Sequence, residues 1–190
     1  MKKIALTALA VMAVVGMFAV QPADAKKVEQ DPVVAPIDMP MNDEIQQVNG
    51  VSKSTNKETR RLSNTLAEAT KVMIKKNWKT IYIKAVPTGD KDAVRFYYKD
   101  NRGQVYNGQV IRNTGLSKGK YMAGSLHQTE ALQELVNHLQ QNDQEVPSSI
   151  DIIITQEGYR IKTIFNYNED TSNLPAYLQQ YEQQNFPSMK

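Results

Sequence analysis

The sequence predicts an α+β domain, a five-stranded antiparallel sheet with helices packed on one face, in the order α-β-β-β-α-β-β-α. Three observations predict it. Two segments repeat apolar residues at the helical period. Several short segments alternate or run apolar at strand length. Tight turn sequences join those strands into hairpins. Strands joined by tight turns run antiparallel, and two helices with one apolar stripe each can cover one face of a sheet.

The first helix is expected to start near Asn56, with Asn56 or Thr55 as its cap, and to end by Asn77. Leu62, Leu66, Ala69 and Met73 form its apolar stripe. Residues 78–86 switch to period two, with Ile81, Ile83 and Ala85 on one face and Tyr82, Lys84 and Val86 on the other. Pro87-Thr88-Gly89-Asp90 reads as a turn. Residues 93–99 form the second strand, with Val94, Phe96 and Tyr98 opposite Arg95, Tyr97 and Lys99. Asp100-Asn101-Arg102-Gly103 is a hairpin signal, because Asn and Gly tolerate the positive φ of tight turns. A third strand is expected over 104–112, weakened by Gly108, and a glycine-containing loop over 113–125. The second helix is expected over 128–142, burying Leu132, Leu135, Val136 and Leu139. An Ile-rich strand over 149–156, a two-residue turn at Glu157-Gly158 and a partner strand over 159–167 follow. A last helix begins at Leu174-Pro175, since Pro suits a first turn, and docks through Leu178 and Tyr181.

Residues 1–25 read as a cleavable secretory signal. Lys2 and Lys3 precede an uncharged apolar run from Ile4 to Val20, and Ala23-Asp24-Ala25 places small residues where signal peptidase cuts. The short basic start suggests a bacterial periplasmic destination. The competing reading is an uncleaved membrane anchor; otherwise the membrane is met only during export. Residues 26–55, with Pro32, Pro36 and Pro40 and no period, read as a disordered linker, which leaves 56–190 as a single α+β domain. Loss of Lys2, Lys3 and Asp24 with the signal changes the formal charge from +3 to +2. The charges are interspersed, and no dense basic run in the chain argues for nucleic acid.

The absence of cysteine excludes disulfides, thiolate nucleophiles and Cys-based zinc sites. His127 and His138 are eleven residues apart on the second helix, about 16 Å at 1.5 Å per residue, too far to share an ion. No His-Glu-x-x-His, phosphate-cradling glycine loop or Gly-x-Ser-x-Gly elbow occurs. The sequence therefore points to a protein that is no enzyme and needs no cofactor or metal. Glu169 and Asp170 beside Tyr167 are neighbours in a loop, which suits a solvated turn or part of a binding surface.

An ordered set of features carries a resemblance. A helix ends in Asn77-Trp78-Lys79 and enters Ile81-Tyr82-Ile83; then come Phe96-Tyr97-Tyr98 and a hairpin with Gly103 and Tyr106. A Leu-rich helix follows, then the Ile-rich strand after Pro147. After Gly158, Phe165-Asn166-Tyr167-Asn168-Glu169-Asp170 closes the last strand as an aromatic-x-Tyr-x-acidic ending. Over about residues 58–186 the chain resembles the YezG-like immunity proteins. It departs from that pattern in carrying a signal and in having Val146-Pro147-Ser148 where a Trp is expected. The resemblance implies a domain that binds and blocks the toxic domain of a cognate toxin or effector. With export, it implies a periplasmic immunity protein acting by occlusion. The surface expected to meet the partner comprises Tyr167, Glu169 and Asp170, together with Arg95, Tyr97 and Lys99. The alternative is a periplasmic module that binds a small molecule or an envelope component without catalysis; a deep pocket lined by Tyr and Ile would favour it.

Overall fold

The computed structural model describes residues 57–89 and 92–189, with the backbone of one further strand, β1 (Glu44–Val48). The expected signal, residues 1–25, lies outside the described residues, as does the expected linker apart from β1. The described elements continue as α1 (Lys57–Lys71), β2 (Thr80–Val86), β3 (Ala93–Lys99), β4 (Val105–Asn107), α2 (Ile111–Thr114), α3 (Lys118–Gln141), β5 (Ser149–Thr155), β6 (Arg160–Asn166) and α4 (Leu174–Asn185). The expected α+β order is present. The five strands β2 to β6 form the antiparallel sheet, and β1 adds a sixth, parallel to β6, in the order β1-β6-β5-β2-β3-β4.

The period-two pattern sorts the strands into two faces. Ile81, Ile83, Phe96, Tyr98, Ile150, Ile152, Ile154, Ile161 and Phe165 all face α1 and α3 and are buried. Full burial of one such side chain contributes about 1.5–3 kcal/mol, so this inner layer is the main source of stability. α1 presents Leu62, Leu66 and Ala67 to it, and α3 presents Leu132, Leu135 and Leu139. Ala67 takes the place on the stripe expected for Ala69, which is only partly buried. Buried polar residues on α1 bond inside the helix pair. Ser63 Oγ donates to the Thr59 carbonyl at 2.8 Å, Thr70 Oγ1 to the Leu66 carbonyl at 2.9 Å, and Gln128 Nε2 of α3 to Thr70 Oγ1 at 2.9 Å.

Three local expectations change. The loop expected over 113–125 is instead α2 and the first turns of α3. Ser117 caps α3 by accepting from the Lys120 N–H at 3.4 Å. Gly124 belongs inside the helix because a Cβ there would lie 2.8 Å from Met73 Cγ; the glycine lets α3 approach the end of α1. The third strand shrinks to three residues because Gly108 lies against the Phe96 ring, where a Cβ would be 2.1 Å from Cε2. The last hairpin turns through four residues, 156–159, with Gly158 at φ 70° and Tyr159 at φ 39°.

The helices do not all share one face. α4 packs on the opposite, outer face, where Phe186 just beyond it meets Tyr82 and Tyr97 with ring centroids 5.3 and 4.5 Å apart. Leu178 of α4, as expected, is buried. The reason is local: the outer face carries Tyr82 and Tyr97, which need apolar cover and hydrogen-bond partners together.

Candidate functional site

The outer face holds a buried charged cluster. Register sets Lys84 of β2 opposite Asp151 of β5, and Ser149 of β5 opposite Asn166 of β6. All four side chains point away from the inner core, because they alternate with the buried isoleucines and Phe165. Lys84 is only 2% exposed. Its Nζ donates to Ser149 Oγ at 2.8 Å and to Asp151 Oδ2 at 3.0 Å, and lies 3.5 Å from Glu169 Oε2. Asn166 Nδ2 donates to Asp151 Oδ2 at 2.6 Å and to Ser149 Oγ at 3.1 Å. Ser149 Oγ also donates to Glu169. α4 closes the cluster from above: Tyr177 OH donates to Glu169 Oε2 at 2.5 Å, and the Lys84 ammonium lies 4.9 Å from the Tyr181 ring centroid and 5.4 Å from that of Tyr177.

The electrostatics follow from this geometry. Burial alone pulls the Lys84 ammonium towards the neutral form, but Asp151 and the Tyr177 hydroxyl outweigh it and raise its pKa. Burial pushes Glu169 up, but hydrogen bonds from Ser149 and Tyr177 and the charge of Lys84 outweigh it and hold the carboxyl below its usual range. The lysine and two carboxylates leave the cluster at a formal charge of −1. Its chemistry is to lock α4 and the loop after β6 to the sheet.

The six residues expected to meet a partner divide accordingly. Tyr167 is 7% exposed and belongs to the inner core. Glu169 is held in the Lys84 cluster. Tyr97 is fully buried under α4, where its OH donates to Glu182 Oε1 at 2.8 Å. With α4 in place, Tyr97 and Tyr167 present almost nothing to another protein. Asp170 is exposed; Ser172 donates to it from its hydroxyl and its N–H, and these bonds hold its carboxyl below the usual range. Arg95 is partly buried and donates to Gln109 Oε1 at 2.8 Å. Lys99 borders a cleft of about 360 Å³ between the outer face and the end of α4, together with Tyr82, Ile153, Ile164, Tyr181 and Phe186. The structure thus sets Arg95, Tyr97 and Lys99 on one strand face, and binds Glu169 but not Asp170 into the fold.

The aromatic-x-Tyr-x-acidic ending is therefore a folding device: Phe165 and Tyr167 fill the inner core and Glu169 clasps α4. The family described as immunity protein YezG-like matches residues 59–187. The chain belongs to the YezG-like immunity protein family. In this YezG-like protein the match runs from the first turn of α1 to just beyond Phe186, so α4 and its clasp belong to the family domain while β1 lies before it. A comparison with curated proteins found no match. Among the described residues no group of three or more His, Asp or Glu is placed to hold a metal.

Sequence reasoning missed Lys84, Ser149, Asp151, Asn166 and Tyr177 as a unit. A signal existed in the charged Lys84 and Asp151, each flanked by apolar strand neighbours, but only the register shows that they face each other.

Proposed function

We propose that the chain is exported and acts in the periplasm as an immunity protein, binding a cognate antibacterial toxin or effector domain and occluding its active surface without catalysis. The single observation that carries this reading is the family match over the whole body from α1 to α4. The apolar, Ala-x-Ala-ended start of the chain supports the location. A stable complex of this type draws its affinity from a few desolvated anchors and its partner choice from charge complementarity.

The test is capture followed by protection. The full chain, tagged at its C-terminus, is expressed in its own cell during effector production, and stoichiometric partners are identified by mass spectrometry. The captured toxin domain is then directed to the periplasm with the chain, without it, and with a form lacking residues 1–25. The expected outcome is growth arrest that only the exported chain relieves. Equal protection by the form lacking residues 1–25 refutes the periplasmic site of action, and growth arrest that the exported chain does not relieve refutes immunity.

A second reading, a binding module for a small envelope component, rests on the Tyr- and Ile-lined cleft beside α4. Native mass spectrometry of the captured chain tests it. A stoichiometric small molecule in place of a protein partner selects this reading.

A further inference from the structure

Two stretches without acidic residues meet in the fold. No Asp or Glu occurs between Glu68 and Asp90, or between Asp100 and Glu130. The fold joins them: the Lys75 N–H donates to the Thr114 carbonyl at 2.8 Å, and Gly115 packs so close that a Cβ there would lie 3.4 Å from Lys75 Cβ and 3.6 Å from Lys76 Cγ. Lys75, Lys76, Arg112, Lys118 and Lys120 come from these segments and are all exposed. Among the described residues none of the five forms an ion pair, whereas Arg61, Lys71 and Lys84 do.

A second observation falls on the same segments. Among the described residues the exposed large apolar side chains are Val72 at 51%, Val110 at 37%, Met122 at 60% and Leu126 at 58%. Lys118, Met122 and Leu126 follow one another at spacings of four on α3, so they share one helix face. Val72 adjoins Met73, the residue against which Gly124 packs. Exposed apolar side chains set among unpaired cations offer a partner both a centre that can be desolvated and a charged rim that can choose it.

We propose that this surface, formed by the segment after α1, α2 and the first half of α3, docks an acidic protein face bearing its own apolar centre, namely the toxin domain. The inference rests on the immunity reading and deepens it by naming the surface and the partner's chemistry. A nucleic acid backbone would neutralise the cations but leave Met122 and Leu126 without apolar cover. A bilayer would be met by only two α3 side chains, because Leu132, Leu135 and Leu139 are spent on the inner core. An acidic protein face satisfies both halves of the surface.

The probe is the toxin domain recovered by the capture described above, titrated against the full chain. Two variants are compared with wild type: Lys75→Glu/Lys76→Glu/Lys118→Glu/Lys120→Glu, and Met122→Ser/Leu126→Ser. Thermal melting confirms that each folds, and the four lysines changed to Gln serve where the Glu set does not fold. The expected result is a loss of affinity of about tenfold or more in each variant, and wild-type association that slows with added salt. Folded variants that bind within about twofold of wild type overturn the surface while leaving immunity standing. Failure of the wild-type chain to bind the probe overturns the immunity reading and this inference with it. Binding of the wild-type chain to phosphatidylglycerol vesicles, lost in the variants while toxin affinity is kept, overturns the surface in favour of a membrane-facing role.

Discussion

Replacing Lys84 with Met keeps the volume of a nearly fully buried side chain and removes its charge. At an effective dielectric of about 20, unit charges 3.0 and 3.5 Å apart attract by about 5 kcal/mol each. Desolvation of a buried ammonium costs several kcal/mol and cancels much of that. What remains after substitution is Asp151 and Glu169 facing each other across the cluster with Ser149, Asn166 and Tyr177 as their hydrogen-bond donors. Breaking a buried pair costs about 3–5 kcal/mol. Because the two carboxylates keep 20% and 32% of their side-chain exposure, the lower end, about 3 kcal/mol, is expected, or a fall in Tm of about 6–12 °C. The charge-free combination Lys84→Met/Asp151→Asn/Glu169→Gln is expected to recover most of the loss, since no buried charge then lacks a partner. The sign with pH follows from Glu169, whose folded pKa lies below its unfolded value. Its contribution is present above the unfolded pKa of about 4.3 and is lost as pH falls through the folded value. In Lys84→Met the downward pull of the ammonium is gone, so the deficit against wild type is largest near neutrality and narrows below about pH 4. Urea unfolding followed by circular dichroism across pH 3–7 measures both effects. A loss under about 1 kcal/mol at neutral pH, or a triple variant no more stable than the single one, refutes the reasoning.

Four further outcomes follow from the packing. Gly108→Ala puts a Cβ 2.1 Å from the Phe96 ring and is expected to cost about 2–3 kcal/mol in chemical denaturation; Phe96→Leu in the same chain should reduce that cost, and additive losses would show that the ring is not the obstacle. Gly124→Ala meets the flexible Met73 side chain, so the expected loss is smaller, about 1 kcal/mol, and a loss as large as that of Gly108→Ala counts against the comparison. Tyr97→Phe removes the hydroxyl that donates to Glu182 and should cost about 1 kcal/mol, with faster amide exchange in α4 and unchanged exchange in α3; uniform acceleration would mean that α4 is not a separate unit. Phe186→Ala removes the ring beneath which Tyr82 and Tyr97 lie and should cost about 3 kcal/mol, with α4 amides again exchanging first.

Much of the fold was legible because helical and strand periods are local properties. The steps from Leu62 to Leu66 and from Ile81 to Ile83 to Ala85 are each written within about one turn or one strand, and these residues are buried on the faces expected, with Met73 buried just beyond the end of α1. Where the reading departed, a distant contact was responsible. Gly108 ends its strand because the Phe96 ring occupies the space of a side chain. Gly119 and Gly124 looked like loop residues, yet they lie in α3, where Gly124 admits Met73. The binding surface was less legible. Tyr97, Tyr167 and Glu169 looked like anchors beside a loop, but an aromatic ring or a carboxylate has the same sequence signature whether it meets solvent, core or a clasping lysine.

Composition and spacing alone set the α+β order, the lack of thiol chemistry, the inner core and the family resemblance, because each depends on residue type and short-range period. The tertiary structure decided which face each helix covers, that Lys84, Asp151 and Glu169 form one cluster, and that two modest basic segments become one unpaired surface. Those facts depend on strand register and on the meeting of residues about forty or more positions apart, where Coulomb energy, desolvation and packing act through space and leave no period in the chain.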